Sequence, residues 1–405
     1  MTLPPRQTAV LTLSPLLFLV VIFYLNFTSR VVLGPLLPVL EIELGLGHGQ
    51  AGSLFLLMQL GYSLGLLGSV FLAGHLNHRR TILVSTTAVG LMLLVTSQSA
   101  SVTGLRVGLI LLGMAAGLYL PSGIAMVTGE TSQAQWGKAL AIHELAPNLG
   151  FVTAPLVAEG LLRLLSWRGV LAVLGLLAIL AGVCFRLYGR GGDQKPDPPR
   201  LKTVTYLAGE GSFWAMALLF AISVGAGLGV YSMTPLFLVT EIGMNRGTAN
   251  SVAGLSRVLG IVTIFFSGIL GDRIGHRRAL ALFITTTGLL TVLLGLLQGS
   301  TVTPVLVFLQ SASVALFFPV AFSLISLIFS PRLRGMAVSM ITVTGSLVGA
   351  GVIPSALGHW AEAFSFSSGF VLLGLVTLGM LPLLRYGGAP PPHPNGSVPP
   401  GTRGT

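Results

Sequence analysis

Charge is what this sequence lacks most. Only 8% of its 405 residues are Asp, Glu, Lys or Arg, against roughly a quarter in an ordinary soluble domain. The hydrophobic share is 53%, and the mean hydropathy is +0.89. A chain with so few charged residues cannot cover a water-exposed surface, so most of it must face lipid or other apolar helices.

Cysteine and metal-ligand patterns are scarce as well. The chain has one cysteine, Cys184, and seven histidines. A single cysteine excludes a disulfide framework and a cysteine-ligated metal centre. The histidines lie mostly in loops and form no H-E-x-x-H spacing. We therefore predict no catalytic residues, no metal site and no cofactor, and we do not expect an enzyme.

Long apolar runs take up most of the chain. A transmembrane helix needs about 20 apolar residues, and the runs between polar breaks supply twelve of them, which we number span 1 to span 12. They lie near residues 14–40, 50–73, 81–100, 103–129, 137–162, 168–188, 211–240, 247–270, 279–299, 303–329, 335–360 and 366–386. The sequence therefore predicts an all-α membrane protein with twelve transmembrane helices.

The distribution of cations predicts the orientation. A net charge of +11 would suggest nucleic acid in a soluble protein, but here the cations sit in short loops between apolar runs. With both termini cytoplasmic, the opposite side holds clearly only Arg163, Arg168 and Arg246, and nearly all other cations lie inside. Because cytoplasmic loops carry the excess of Lys and Arg, we predict an inner-membrane protein with both termini cytoplasmic and no nucleic-acid partner.

One offset relates the two halves of the chain. Arg79 and Arg277 differ by 198 positions, as do Pro121 and Pro319. An offset that holds over several helices predicts two pseudo-symmetric six-helix bundles with a site between them. The predicted parts are a first bundle at 1–188, a Pro- and charge-rich cytoplasmic linker at 189–206, a second bundle at 207–386 and a disordered tail at 387–405.

The loop between spans 8 and 9 reads GILGDRIGHRR, from Gly268 to Arg278. It closely resembles the Gly-x-Leu-x-Asp-Arg-x-Gly-x-Arg-Arg loop motif of the major facilitator superfamily. With twelve spans and the repeated halves, the resemblance extends over essentially the whole chain. It implies a transporter that exposes one central site alternately to each side of the membrane, and it is nearly silent on the substrate.

The same motif contains a candidate conformational latch. Its residues are Gly268, Asp272, Arg273, Gly275, Arg277 and Arg278. The glycines permit a tight turn, and Asp272 can accept hydrogen bonds from a neighbouring helix N-terminus or pair with arginines. Alternatively, the arginines are topology anchors only. In the first half Gly74 replaces the acid, so we expect that copy to be mainly an orientation anchor.

Two arginines interrupt apolar spans at the same depth. Arg30 is 11 residues before Glu41 in span 1, and Arg257 is 11 residues before Gly268 in span 8. That distance is roughly 16 Å along a helix, half of a hydrocarbon core about 30 Å thick. Unpaired, each would cost about 2.5–3.5 kcal/mol. We predict that both face a water-filled cavity and bind an anion; the alternative is internal pairing, for example with Glu144.

The surroundings of Arg30 supply further candidates. The segment FYLNFTSRVVLGPLLP (23–38) resembles the first helix of the organic-anion branch of the superfamily, in which the arginine at the position of Arg30 coordinates carboxylate or phosphate. Ser29 stands where that branch usually has an acid, so proton coupling through this position does not carry over. Asn26 lies one turn before Arg30 on the same face. Gln59, Tyr231 and Gln310 complete the predicted substrate contacts.

A third unusual charge, Glu144, lies six residues past Lys138, roughly 9 Å into span 5. A carboxyl there suits a proton carrier, although a purely structural hydrogen bond is the alternative. Asn148 is one turn further on and shares the face of Glu144. His143 points about 100° away on a regular helix, so we expect no direct contact between it and Glu144.

These observations predict a secondary active transporter of a small organic anion, with proton coupling through Glu144, His143 and Asn148. We expect it to work as a monomer in the lipid bilayer. The alternative is a proton-driven efflux pump for apolar drugs or metabolites, in which Arg30 and Arg257 only organise the cavity.

Overall fold

The structure is a computed structural model that describes residues 13–132, 135–195 and 201–386. Within these ranges every regular element is a helix. The predicted disordered tail at 387–405 and residues 196–200 of the predicted linker lie outside the described residues.

The helices reproduce the twelve predicted spans, which confirms the predicted fold class. Spans 1 to 6 are Leu13–Val31 with Leu33–Leu44, His48–Leu76, His78–Ser97, Val102–Gly117 with Tyr119–Gly129, Trp136–His143 with Leu145–Leu162, and Trp167–Tyr188. Spans 7 to 12 are Gly211–Val224 with Val230–Thr240, Arg246–Ile274, His276–Leu296, Val302–Ile328, Pro331–Leu347 with Ile353–Ala363, and Phe366–Gly379. Span 8 is bent by 43° between Ile264 and Phe266. A short helix, Leu201–Ala208, precedes span 7.

The interruptions within the spans lie shortly before prolines, although Pro38, Pro155 and Pro319 lie inside unbroken helices. A proline in a helix removes one backbone N–H, and its ring clashes with the carbonyl four residues earlier. The irregular positions accordingly precede prolines: Val32 before Pro35, Leu118 before Pro121, Glu144 before Pro147, a π turn at Gly225–Gly229 before Pro235, and a π turn at Val348–Val352 before Pro354. These breaks occur in spans 1, 4, 5, 7 and 11.

The helix packing has the predicted internal symmetry. In the first half, span 2 packs on span 4, span 3 on span 6 and span 1 on span 5; in the second half, spans 8 and 10, 9 and 12, and 7 and 11 pack in the same way. The two bundles meet where span 2 contacts span 11, span 5 contacts span 8 and span 1 contacts span 7. The predicted boundaries at 188, 206 and 386 stay a prediction.

Close contact between spans 2 and 4 depends on glycine. A Cβ atom added at Gly61 would lie 2.0 Å from the carbonyl oxygen of Ile110, and one added at Gly113 would lie 2.1 Å from that of Met58. No side chain fits at such distances, so these positions let the two backbones touch, as small residues do in membrane bundles.

The terminal face is the side on which the described chain begins, at Leu13, and ends, at Tyr386. The opposite face is the side on which span 2 begins at His48 and span 8 begins at Arg246.

Candidate functional site

Arg30 is buried at the junction of the two bundles, with 8% of its surface exposed. Its guanidinium carbon lies 4.1 Å from the centre of the Tyr62 ring and 5.2 Å from that of Phe27. The Nε atom has no hydrogen-bond partner, and no carboxylate of the described residues forms an ion pair with it. The rings shield the charge by cation–π contact but do not neutralise it.

Arg257 has a similar setting in the second bundle. Its guanidinium carbon lies 4.3 Å from the centre of the Tyr231 ring and 4.9 Å from that of Phe151. One N–H group, on Nη2, donates a hydrogen bond of 2.8 Å to the carbonyl oxygen of Gly227, while Nε has no partner. Gly227 lies in the π turn of span 7, where the regular helical hydrogen bonds are shifted and the carbonyl can accept from a side chain.

Aromatic rings connect the two arginines. The rings of Phe27 and Phe151 are 4.7 Å apart and edge-on, and those of Phe151 and Tyr231 are 5.3 Å apart. The Tyr231 hydroxyl also donates a 2.7 Å hydrogen bond to the backbone oxygen of Phe151 in the other bundle. We call Phe27, Tyr62, Phe151 and Tyr231 the aromatic frame. The structure thus brings the two predicted arginines to one frame, which both bundles contribute.

A small cavity adjoins Arg257. It has a volume of about 10 Å³ and is lined by Arg257, Tyr231, Gln310 and Ser311 among others, which is room for about one water molecule. The Nε2 atom of Gln310 donates to the backbone oxygen of Ala226 at 2.7 Å and to Thr291 Oγ1 at 3.2 Å. Predicted contacts Tyr231 and Gln310 therefore lie beside Arg257, in a space that must widen before it holds a larger ligand.

The other two predicted substrate contacts have protein partners. Gln59 accepts a hydrogen bond of 3.2 Å from Ser346, so it joins span 2 to span 11 across the junction. The Asn26 amide donates to the backbone oxygen of Ala116 at 3.0 Å, next to the break in span 4. Asn26 therefore fastens span 1 to span 4 here, and its role as a ligand contact stays a prediction.

Sequence reasoning was wrong about the geometry of His143 and Glu144. Because Pro147 interrupts span 5, Glu144 falls between two helices and its carboxyl turns back, bringing Oε1 to 3.6 Å from His143 Nδ1. The Glu144 side chain is 54% exposed, whereas His143 is fully buried. The Asn148 amide donates to the backbone oxygen of Glu144 at 2.8 Å, not to its carboxyl.

His143 is held in place by a buried hydrogen-bond chain. Its Nε2 lies 2.9 Å from the Tyr119 hydroxyl, which donates to the backbone oxygen of Leu19 at 2.9 Å. Since that hydroxyl proton is used, the Tyr119 oxygen accepts from Nε2–H, and in neutral His143 the Nδ1 atom facing Glu144 is the free acceptor. The Phe23 ring stacks on His143 at 4.5 Å.

The opposite face is closed by contacts that sequence reasoning missed. Glu159 of span 5 accepts hydrogen bonds from Arg246 Nε at 2.8 Å, Arg246 Nη2 at 3.2 Å and Asn250 Nδ2 at 3.1 Å in span 8. Glu362 of span 11 accepts one from the backbone N–H of Gly49 in span 2 at 2.9 Å. Both contacts join one bundle to the other.

The predicted latch residues lie on the terminal face. The Asp272 side chain is 79% exposed, and within the described residues its ion-pair partner is His276, at 4.0 Å. The turn requires φ of +89° at Gly275, and Asn77, 198 positions earlier, has φ of +85°. A Cβ atom at Gly268 or Gly275 would meet nothing within 4 Å. The Asp272 carboxyl is therefore accessible on this face, and the latch role of Arg273, Arg277 and Arg278 stays a prediction.

The aromatic frame was only partly foreseeable. Phe27 is three residues before Arg30, a spacing that places both on one helix face. Nothing in the local sequence of span 5 indicates that Phe151 reaches Arg257 in another bundle. Within the described residues, no three His, Cys, Asp or Glu side chains are grouped so that they could hold a metal ion.

The fold and its paired bundles define a multi-pass membrane transporter. The sequence model described as Major Facilitator Superfamily matches residues 16–263 and 216–404. The chain belongs to this superfamily, as the loop motif predicted. A search of curated protein sequences finds no match.

Solved structures share the fold at low sequence identity. A bacterial homologue of the human lysosomal transporter Spinster, inward-facing and unoccupied, has a TM-score of 0.79 at 16% identity over 95% of this chain and 97% of its own. A peptide transporter POT in complex with sulfate has a TM-score of 0.74 at 16% identity, over 92% of this chain and 95% of its own. A D-xylose–proton symporter has a TM-score of 0.72 at 15% identity, over 93% of this chain and 99% of its own. These similarities show the fold; the organic-anion-branch resemblance stays a prediction.

Proposed function

We propose that this chain is a secondary active transporter of a small organic anion, which Arg30 and Arg257 hold between the two bundles. One observation carries the proposal: two guanidinium groups, one from each bundle, lie on a shared aromatic frame without a carboxylate partner among the described residues. A substrate that bridges them would couple its binding directly to the relative position of the bundles.

The chemistry of the exposed donors favours an oxyanion. Aromatic rings cover the flat faces of both guanidinium groups, so the N–H edges remain for a ligand. Those edges match the planar, two-oxygen geometry of a carboxylate or phosphate. A charged arginine in an apolar span costs about 2.5–3.5 kcal/mol if nothing compensates it. A bound anion would offset this cost at both arginines.

We propose that the terminal face is the cytoplasmic side of the inner membrane, because the loops on that face hold most of the cations. The conformation is then inward-facing: Glu159 with Arg246, and Glu362 with Gly49, join the bundles on the outer side, while the Asp272 side chain on the inner side is 79% exposed. Separation of these outer contacts and closure at Asp272 would expose the frame to the outside. The working unit is a monomer.

Glu144 supplies the proton-coupling group in this proposal. Its carboxyl is accessible, and His143 Nδ1 lies 3.6 Å away with its lone pair free. A proton can therefore pass between an exposed acid and a buried base that contacts span 1 through Tyr119. The D-xylose relative, a proton symporter by its description, supports coupling of this kind in the same fold.

The second candidate is a proton-driven efflux pump for apolar drugs or metabolites. The observation in its favour is the aromatic frame itself, since Phe27, Tyr62, Phe151 and Tyr231 already compensate both arginines and would offer ring surfaces to an apolar substrate. The two candidates differ in what the purified protein binds.

Titration of the purified protein with monocarboxylates, organic phosphates and lipophilic cations distinguishes them. We expect an anion to bind, and we expect its affinity to fall by about tenfold or more in Arg30→Gln, the loss typical of a charge-assisted contact. Arg163→Gln, which removes an exposed arginine from the opposite face, is the matched control and should bind the anion normally. Tight binding of lipophilic cations alone, unchanged by Arg30→Gln, would establish the efflux reading instead.

A further inference from the structure

A second arginine cluster lies outside the central site, on the terminal face. A groove of about 460 Å³ opens between the start of span 3 and the end of span 6. Arg79, Arg80 and Arg186 line its polar side, together with Asp193, while Leu83 and Val84 are part of its apolar wall. Three guanidinium groups and one carboxylate leave the groove with a net positive charge.

The arginines are positioned but not neutralised. Arg79 Nη2 donates to the backbone oxygen of Arg186 at 3.3 Å, which holds the ends of spans 3 and 6 together. Within the described residues, none of the three arginines forms an ion pair. One carboxylate, that of Asp193, lines the same groove.

The backbone around the groove is already satisfied. After span 6 the chain turns back, so that Gly192 O accepts from the Arg79 N–H at 3.0 Å and Gln194 O from the His78 N–H at 3.4 Å. The Arg80 N–H bonds to the side chain of Asn77 at 2.9 Å. The first N–H groups of span 3 are thus occupied, and any attraction for an anion comes from the guanidinium groups.

The apolar wall continues onto the lipid-facing surface. Val84 is 40% exposed, and on span 6 Val183, Leu187 and Tyr188 are 49%, 66% and 68% exposed. In a membrane these side chains face acyl chains. The groove therefore presents cations at headgroup level and an apolar path directly beneath them, the pattern of a basic pocket between transmembrane helices.

We propose that this groove binds an anionic phospholipid, with its phosphate on Arg79, Arg80 and Arg186 and its acyl chains along spans 3 and 6. The first-half copy of the loop motif, which lacks the acid at Gly74, is then a lipid contact and not only an orientation anchor. The proposal does not depend on the substrate of the central site.

Native mass spectrometry of the full-length protein in detergent tests this. The probes are phosphatidylglycerol, phosphatidylcholine with the same acyl chains, and glycerol phosphate, which has the headgroup chemistry without the chains. We expect tight retention of phosphatidylglycerol alone. The double variant Arg79→Gln with Arg186→Gln should weaken it about 25-fold, from about fivefold for each juxtamembrane arginine.

Two further variants sharpen the outcome. Asp193→Asn removes the acid from the groove and should raise phosphatidylglycerol affinity, by up to about fivefold. Arg80→Gln removes an exposed arginine that lines the groove; it should lower phosphatidylglycerol affinity while the Arg79–Arg186 hydrogen bond is kept. Arg278→Gln is the matched control, since it removes an exposed arginine at the equivalent loop of the second half and should leave retention unchanged.

Three results would overturn the proposal. Equal retention of phosphatidylcholine would mean that the groove selects acyl chains and not charge. Binding of glycerol phosphate as tight as that of the lipid would assign the site to a free phosphate. Equal losses in the double variant and in Arg278→Gln would show that net charge, and not this groove, attracts the lipid.

Discussion

The two bundles build similar settings for their arginines from different parts. Arg30 and Arg257 each stack on a tyrosine, at 4.1 and 4.3 Å. Arg257, however, also donates to Gly227 O, whereas the contacts found for the Arg30 guanidinium within the described residues are with Tyr62 and Phe27. By the offset of 198, the counterpart of Arg257 is Gln59. The pair is therefore not a product of the internal repeat, and Arg30 is the arginine with fewer partners of its own.

The contacts that join the bundles on the opposite face differ in the same way. Glu159 takes three hydrogen bonds from side chains, two of them from Arg246. Glu362 takes one from a backbone N–H. At the position of Arg246, 198 residues earlier, the first half has His48. The contact between spans 5 and 8 is therefore an ion pair, whereas Glu362 joins spans 11 and 2 through a charge-assisted hydrogen bond.

The largest effect is expected from the arginine with fewer partners. Arg30→Gln should lower anion counterflow in proteoliposomes about 100-fold, because a desolvated charge contact to a ligand contributes about 2–5 kcal/mol. Arg257→Gln should cost less, about tenfold, since part of its hydrogen bonding already goes to Gly227. A larger loss in Arg257→Gln than in Arg30→Gln would reverse the comparison, and normal transport in Arg163→Gln is the control.

Proton coupling should depend on Glu144 and not on another acid of the terminal face. With a gradient of one pH unit, a coupled proton adds about 1.4 kcal/mol, or a tenfold concentration ratio. Glu144→Gln should abolish that accumulation and retain counterflow, which needs no gradient. Glu130→Gln, which changes an exposed acid on the same face, should accumulate substrate normally. Full accumulation by Glu144→Gln would remove it from the coupling mechanism.

Opening of the opposite face should respond more to Glu159 than to Glu362. Cys184 is the chain's only cysteine, so Cys184→Ala with Thr234→Cys places a single thiol on the small cavity beside Arg257. Labelling from the opposite face by an impermeant maleimide should rise about tenfold in Glu159→Gln, because an ion pair that keeps this face closed is lost. In Glu362→Gln it should rise about threefold, because one hydrogen bond is weakened. Equal increases would show that the two contacts are equivalent.

The smallest effect in this conformation is expected at the latch. Asp272 is exposed and its ion-pair partner is a histidine at 4.0 Å, and such pairs contribute little. Asp272→Asn should change the same labelling by less than about twofold. A decrease in labelling would still fit the latch, because an acid that stabilises the outward-open state is lost; an increase would contradict it.

The sequence by itself determined the class of fold and the number of spans. Hydropathy fixes which segments can cross a bilayer, because an unsatisfied or charged segment is costly in lipid, and each proline acts on its own helix. The same local rules placed Arg30 and Arg257 at one depth. They failed at His143, because a regular helix was assumed where Pro147 allows none.

Only the tertiary structure decided which side chains meet. Phe151 of span 5 reaches Arg257 of span 8, Glu159 pairs with Arg246, and the segment after span 6 encloses the groove beside Arg79. Contacts of this kind join residues about 90 to 110 positions apart, and no local pattern records them. They depend on how the helices pack, and packing selects partners by shape and distance, which the order of residues along one helix does not contain.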